Sequence, residues 1–423
     1  MTAAIPERLA HQPAASASPD ERSAAIEALR QQLVRRVPSN ALALSGAAEL
    51  AVMVAENVAD PAKDVFWDRA DHALAHDLLL KGLAGRAVSH TPGRAASEAA
   101  GVAVARTLQR DRQPVVAVVD EAGLGTGLAF EAVNHVGHLQ VPFVLVLVDA
   151  QTPRGRNAGA MARYLTRVRG HARYADAKNL IETTLSRMPA GEQAVEVARR
   201  LKNSVRELLV PTEMWEELLG FMYLGPVDAH NVESLGELLR LALRVGRPVV
   251  LHVTLEGRAP ARSISHDVVA CQSDLEQALA TSMADDDRRL LIATDTDGVL
   301  DTAALAEHAP ERYFDLGLGG AHAVTFAGSL AAQGYRPVVV LGDASLESAL
   351  AALTAEVEHR DGTVTIVSAG RGLALRGPVR AALQAAGFAW RSPHSEGAWA
   401  QAFREADARD RWTFLTAEAK EAD

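Results

Sequence analysis

Two adjacent carboxylates, Asp120 and Glu121, open a Gly-rich turn that runs to Gly127. Side-chain oxygens at a turn after an apolar run are the donors a hard divalent cation takes, with Mg²⁺ asking for near-octahedral ligation by few protein groups. Arg154 and Arg156 follow the next apolar run. They read as exposed loop charges. Asp228 and His230 close the segment Gly225-Pro-Val-Asp-Ala-His230 and pair an acid with an imidazole. His322 stands at the head of a predicted helix, as a proton-handling group or a packed one. Arg371, in Gly370-Arg-Gly, reads by itself as part of a plain turn. His72 and His76 lie at i and i+4 beside Asp71. Without a third ligand that spacing is a weak metal signal, and solvated or capping roles are expected.

The elements that position these groups follow from hydrophobic periodicity. The apolar run Val115–Val119, the turn, an amphipathic stretch Leu128–Val136 and a second run Phe143–Val148 make a βαβ unit, with functional loops at the carboxyl ends of its strands. Further strands are expected at 64–67, 249–254, 290–294, 313–316, 337–341, 364–367, 388–390 and 412–415. Helices are expected at 95–108, 322–333 and 381–386, and a long charged helical segment at 164–209. Alternating strands and helices predict an α/β fold with a central, mostly parallel sheet in each of two domains. Residues 1–19 read as a disordered tail, 20–260 as the first domain, 261–287 as a linker and 288–423 as the second domain.

The chain has 423 residues, 48% of them hydrophobic but only 4% aromatic, and a formal charge of −10. Ala, Val and Leu supply the apolar mass, which suits a helix-rich α/β protein. The acidic balance gives no indication of a nucleic-acid partner. One cysteine, Cys271, excludes a disulfide framework and a Cys-rich zinc site. No signal peptide or membrane-length apolar run is evident, so the expected location is the cytoplasm, and the composition suggests a bacterial source.

Several stretches resemble the 1-deoxy-D-xylulose-5-phosphate synthase family, a transketolase-like group with the thiamine-diphosphate fold. They are Leu128-Ala-Phe-Glu-Ala-Val-Asn134, Asn157-Ala-Gly-Ala-Met-Ala-Arg-Tyr-Leu165, Gly225-Pro-Val-Asp-Ala-His230 and Asp315-Leu-Gly-Leu-Gly-Gly-Ala-His-Ala-Val-Thr-Phe326. The resemblance spans roughly residues 20 to 380. It implies a diphosphate-binding-type domain, a pyrimidine-binding-type domain and a homodimer, without the family's C-terminal third domain. It also implies thiamine diphosphate with Mg²⁺, and here the residue types depart from the pattern. The family's Gly-Asp-Gly reads Asp120-Glu121-Ala122, and its metal-ligating Asn falls on Ala150. Its proton-relaying Glu falls on Gly320, two residues before His322. Its two substrate histidines fall on Asn40 and Asp71, and the ring stacking on the aminopyrimidine on Ser345. Asp228 and His230 fall in the family's cofactor-side cleft, Arg371 on an Arg near substrate phosphate, and Arg154 and Arg156 in the vacated diphosphate region, where the resemblance implies direct anion ligands in place of Mg²⁺.

Loss concentrated at site positions implies a vestigial site, with no cofactor or metal expected and Asp120 and Glu121 the weak metal candidates. The expected function is a non-catalytic partner or regulator, a pseudoenzyme, in isoprenoid-related or specialised metabolism. Its partners would be a second copy of the chain, an active paralogue or pathway enzyme, and a small anionic ligand, with no nucleic acid or membrane. Two alternatives stand beside it: an enzyme repurposed for other chemistry in the cleft, and a still-active thiamine-dependent transferase.

Overall fold

The structure is a computed structural model. It describes residues 18–36, 46–68, 70–80, 92–149, 160, 163–165, 215, 218–255, 266–294, 300, 305–306, 309–359, 362–368, 378–386, 388–393, 395–409 and 412–416. Two compact units follow one another along the chain, with the boundary at Pro260–Ala261.

The first unit is built on five strands: β1 Val65–Trp67, β2 Val115–Asp120, β3 Phe143–Asp149, β4 Met222–Asp228 and β5 Val249–Thr254. They lie in the order β1-β2-β3-β5-β4, and every pair is parallel. All their carboxyl ends therefore share one edge. Strands β2, β3 and β5 are buried along their whole length. Continuous β-branched runs are what a sheet covered on both faces requires.

Helices α1 (Pro19–Arg36), α2 (Ala47–Asn57), α3 (Pro61–Asp64), α4 (Ala70–Leu79), α5 (Arg94–Leu108), α6 (Glu121–Leu124), α7 (Gly127–Leu139) and α8 (Val232–Arg244) accompany the sheet. Alternate strand residues serve opposite faces. Val116, Val118, Val144 and Val146 pack with Leu50 and Met53 of α2 and Leu235 and Leu239 of α8. Val115, Ala117, Leu145 and Leu147 pack with Ala96 and Ala99 of α5 and Val133 and Val136 of α7. Each Val or Leu so enclosed contributes roughly 1.5–3 kcal/mol of hydrophobic stabilisation. Helix α1 lies antiparallel on α2, tied by Arg22 to Glu56 and by Arg30 to Glu49, with Ala25, Ala28, Leu29 and Leu33 buried beneath.

The second unit holds β6 Arg289–Thr294, β7 Tyr313–Asp315, β8 Arg336–Leu341, β9 Thr365–Ser368, β10 Ala389–Arg391 and β11 Thr413–Thr416. Their order is β10-β11-β9-β8-β6-β7, again parallel throughout. Helices α9 (His266–Asp285), α10 (Gly320–Ala331), α11 (Asp343–His359), α12 (Pro378–Ala385) and α13 (Glu396–Ala408) accompany it. One face packs Ile292, Val339 and Ile366 with Ala323, Ala327, Leu346 and Leu353 of α10 and α11. The other packs Leu291, Val338 and Val367 with Leu275 and Leu279 of α9 and Trp399 and Phe403 of α13.

Two expectations change. Residues 261–287, read as a linker, carry the 20-residue helix α9. The buried positions Leu275, Ala278, Leu279 and Met283 hold it on the sheet, and that spacing is one face of a helix. His76, expected to be solvated or capping, is buried and tilted against Trp67 with ring centroids 5.3 Å apart.

Candidate functional site

The carboxyl edge of the first sheet is lined by aspartates. Asp120, Asp149 and Asp228 end β2, β3 and β4, and Asp68 follows β1. The first three of these in sequence, Asp68, Asp120 and Asp149, are buried, so each carboxylate requires compensation.

Asp68 Oδ2 accepts the N–H of Gly93 at 2.8 Å and Oδ1 that of Ala95 at 3.3 Å. It thereby supplies the cap that Gly93, at the head of α5, has no side chain to give. Asp120 Oδ1 accepts the N–H of Gly123 at 2.7 Å and caps α6. Thr126 accepts the N–H of Ala129 and caps α7. These caps interlock. A Cβ on Gly123 would fall on Asp68 Oδ2 and lie 3.1 Å from Asp120 Oδ1. A Cβ on Gly93, whose φ is +83°, would fall on Thr126 Oγ1 and lie 2.8 Å from the backbone nitrogen of Ala129. Glycine is required at both positions by close approach, and at Gly93 by backbone conformation as well.

Asp149 takes part in a different arrangement. Its Oδ2 lies 3.1 Å from His252 Nε2, and His252 Nδ1 lies 2.6 Å from the Tyr223 hydroxyl. The carboxylate accepts from Nε2–H, and in the neutral ring Nδ1 accepts from the phenol. This chain crosses β4, β5 and β3 inside the sheet, and His252 and Asp149 are fully enclosed. It satisfies buried polar groups and offers no surface to a ligand.

Asp228 differs again, because its surroundings reach solvent. Its Oδ1 accepts the backbone N–H of His230 at 2.9 Å and lies 3.0 Å from the ring Nδ1. On the far side of the ring, Nε2 lies 3.8 Å from Oε1 of Glu49 on α2. Two sequence-predicted residues thus come together, and Glu49 joins them unforeseen. The signal was present: Glu49 and Glu56 interrupt an otherwise apolar helix at a spacing of seven, which places both on one face.

In the second unit Gly320 opens α10 and Ser345 lies in the first turn of α11. A Cβ on Gly320 would fall on the backbone oxygen of Ser345, 2.8 Å from its carbonyl carbon and 3.0 Å from Ser348 Oγ. Ser345 is fully buried. His322, one half-turn along α10, is exposed and stacks on Phe326 at 5.7 Å, and Phe326 meets Phe314 edge-on. Glu121 is the first residue of α6, and Asp71 lies on α4. Asn40, Ala150, Arg154, Arg156 and Arg371 lie outside the described residues.

A family model described as 1-deoxy-D-xylulose-5-phosphate synthase matches residues 85–255. A 1-deoxy-D-xylulose-5-phosphate synthase from Thermomicrobium roseum is 40% identical over 273 residues, covering 60% of this chain and 43% of the relative. One from Dehalococcoides mccartyi is 32% identical over 358 residues, covering 74% and 55%. This is a 1-deoxy-D-xylulose-5-phosphate synthase-like chain. It spans about half the length of the curated relatives it matches. Among solved structures, transketolases from Pichia stipitis and Campylobacter jejuni are each 11% identical, with TM-scores of 0.33 and 0.29. They cover 93% and 92% of this chain, which covers 77% and 78% of theirs. The assignment rests on the sequence relatives.

The residues that fall on the family's cofactor positions differ from its pattern in type. The position matched to the proton-relaying Glu is Gly320, and backbone occupies the space its side chain would need. Ser345 brings no ring. Asp120, the alternative cation ligand, has one oxygen engaged as a helix cap, because the orphan N–H groups at the head of α6 need an acceptor. Residue 150, an alanine, has no ligating atom in its side chain. These positions depart in residue type from the family's pattern, while the relatives the chain matches belong to a thiamine-diphosphate-dependent family.

Proposed function

We propose that this synthase-like chain has given up ordinary thiamine-diphosphate chemistry and acts as a non-catalytic partner or regulator in isoprenoid-related or specialised metabolism. The observation that carries this reading is the seat at Gly320. A missing carboxyl group alone could be one substitution from recovery. Here the first turn of α11 also fills the space, so relay chemistry at that position would require the helices to move. General acid–base catalysis of this kind is worth roughly 10²–10⁴-fold in rate.

The partners proposed are a second copy of the chain, an active paralogue or a pathway enzyme, and the location proposed is the cytoplasm. No helix among the described residues is long and apolar enough to cross a membrane. The test is calorimetric titration with thiamine diphosphate and Mg²⁺, paired with an assay for condensation of pyruvate with glyceraldehyde 3-phosphate. Weak or no binding and no turnover are expected. Low-micromolar binding with family-like turnover would establish the still-active transferase instead. A second reading, an enzyme of other chemistry, is favoured by the acid–imidazole cluster at Asp228, His230 and Glu49.

A further inference from the structure

At its amino edge the second sheet carries charge inside. Helix α13 lays Trp399, Ala402, Phe403 and Ala406 on the sheet, an apolar stripe at helical spacing. The stripe continues into the last turn as Asp407. A carboxylate there works against the helix dipole, and that turn holds no basic residue to offset it. The offset comes from the strands. Arg289 and Arg336 open β6 and β8, two residues before Leu291 and Val338, so they project from the face that α13 covers. Arg289 is 2% exposed and pairs through Nη2 with Oδ2 of Asp407. Arg336 Nη1 lies 3.0 Å from Asp286 Oδ2 and 3.9 Å from Asp407 Oδ2.

This compensation is incomplete. Arg289 Nε and Nη1 and Asp407 Oδ1 are buried with no hydrogen-bond partner among the described residues. The same holds for Trp399 Nε1 and for the hydroxyls of Thr365 and Thr413. Those threonines pair across β9 and β11, two residues before Val367 and Leu415 on the same face. The end of α9 is held on different terms, because Arg312 Nη1 donates to the carbonyl of Met283 at 2.8 Å. On the other face of the sheet, the buried residues of α10 are Gly, Ala and Val alone. A buried ion pair with unmade hydrogen bonds holds a helix less firmly than apolar side chains of the same volume. It fixes where α13 sits and adds little strength.

We propose that α13 is a latch that lifts from the second sheet as one segment, well short of global unfolding, with the Arg289–Asp407 pair as its release point. Lifting uncovers Val338, Val367 and Leu415 and leaves the strand ladder made. Local openings of this kind draw on the least compensated contacts of a fold. The latch does not depend on thiamine chemistry or on its loss.

Hydrogen exchange followed by mass spectrometry tests it, on the full chain of wild type, of Asp407→Leu, and of Arg289→Met combined with Asp407→Leu. In wild type, amides of α13 exchange at least about tenfold faster than those of α10. Asp407→Leu leaves Arg289 buried without a counter-charge, so exchange in α13 rises about tenfold or more while α10 is unchanged. The double replacement fills the space with apolar side chains, so exchange in α13 falls roughly five-fold or more below wild type. A pair that strengthens the core would give the opposite sign in the double variant. Wild-type α13 and α10 exchanging together would overturn the proposal, as would a double variant that exchanges as fast as wild type or does not fold. If Asp407→Leu alone does not fold, wild type and the double variant decide. No thiamine enters the measurement, so its failure leaves the functional reading standing.

Discussion

Replacing Gly320 with alanine asks the second unit a direct question about space. The added Cβ would lie 2.8 Å from the carbonyl carbon of Ser345 and 3.0 Å from Ser348 Oγ, with the Ser345 oxygen nearer still. Real Cβ atoms do not approach backbone at such distances, so α10 and α11 must part. Overpacking of this kind costs about 1–3 kcal/mol. Alanine recovers at most about 1 kcal/mol over glycine through helix propensity. The net expectation is a loss of roughly 1–2 kcal/mol. For a unit of this size that lowers the melting transition by about 2–8 °C. Gly397, at the head of α13 in the same unit, is the control, because its Cβ would meet nothing within 4 Å. Gly397→Ala should be neutral or mildly stabilising. The assay is chemical and thermal unfolding followed by circular dichroism, with calorimetry to resolve transitions. If Gly320→Ala proves as stable as Gly397→Ala, the seat is open and the argument against a restored acid fails. Gly320→Glu carries the same conflict and adds a charge, so it should be less stable than Gly320→Ala and gain no turnover.

Two further outcomes follow from buried imidazoles. Burial drives the pKa of His76 down from 6.5 to about 4. Folding therefore keeps a neutral ring that the unfolded chain protonates first, and stability is lost as pH falls from 6.5 toward 4. The total is roughly 3 kcal/mol, with a limiting slope of about 1.4 kcal/mol per pH unit. Denaturant titrations across that window should show the slope, and His76→Leu should flatten it; an unchanged profile would place the ring in solvent. Tyr223→Phe removes the donor to His252 Nδ1 inside the sheet and should cost about 1–3 kcal/mol in unfolding free energy. A neutral result would mean that the chain to Asp149 carries no stability.

Much of the fold was legible because buried parallel strands announce themselves. Val115–Val119 and Phe143–Val148 are unbroken apolar runs and Val249–Thr254 a mostly apolar one, and each lies in a strand buried on both faces. Strand β4 was not foreseen as a strand. Its sequence contains Gly225-Pro226, the pair that ordinarily demotes a strand, and the ladder with β5 shifts register between Leu224 and Val227. The apolar stripe of α9 was present at Leu275, Ala278 and Leu279, but the Gly/Pro/Arg/Ser-rich stretch before it drew the linker too far. At the site, residue type was readable and space was not. The sequence shows a glycine at 320; only the path of α11 shows that nothing larger fits. His76 sits among Ala73, Ala75 and Leu79, all buried, and an Ala-rich helix gives little contrast between its faces. Glu49 was overlooked because its partners, Arg30 and His230, lie 19 and 181 residues away in sequence.

The interlocked caps of the first unit bear on how this edge can diverge. Asp68 occupies the space a side chain at Gly123 would take, and Thr126 the space of one at Gly93. Each residue sets what its neighbour is permitted to be. Gly123→Ala becomes sterically acceptable only where residue 68 has lost its carboxylate, and in that background the first turn of α5 has lost its acceptor. A combinatorial library over positions 68, 93, 123 and 126 should therefore show strong sign epistasis, with most single changes harmful and few paired routes between functional sequences. Variation at this edge is channelled to positions outside the ring, and Glu121 is one of them. A family resemblance can persist there through mutual constraint alone, whatever chemistry the edge supports.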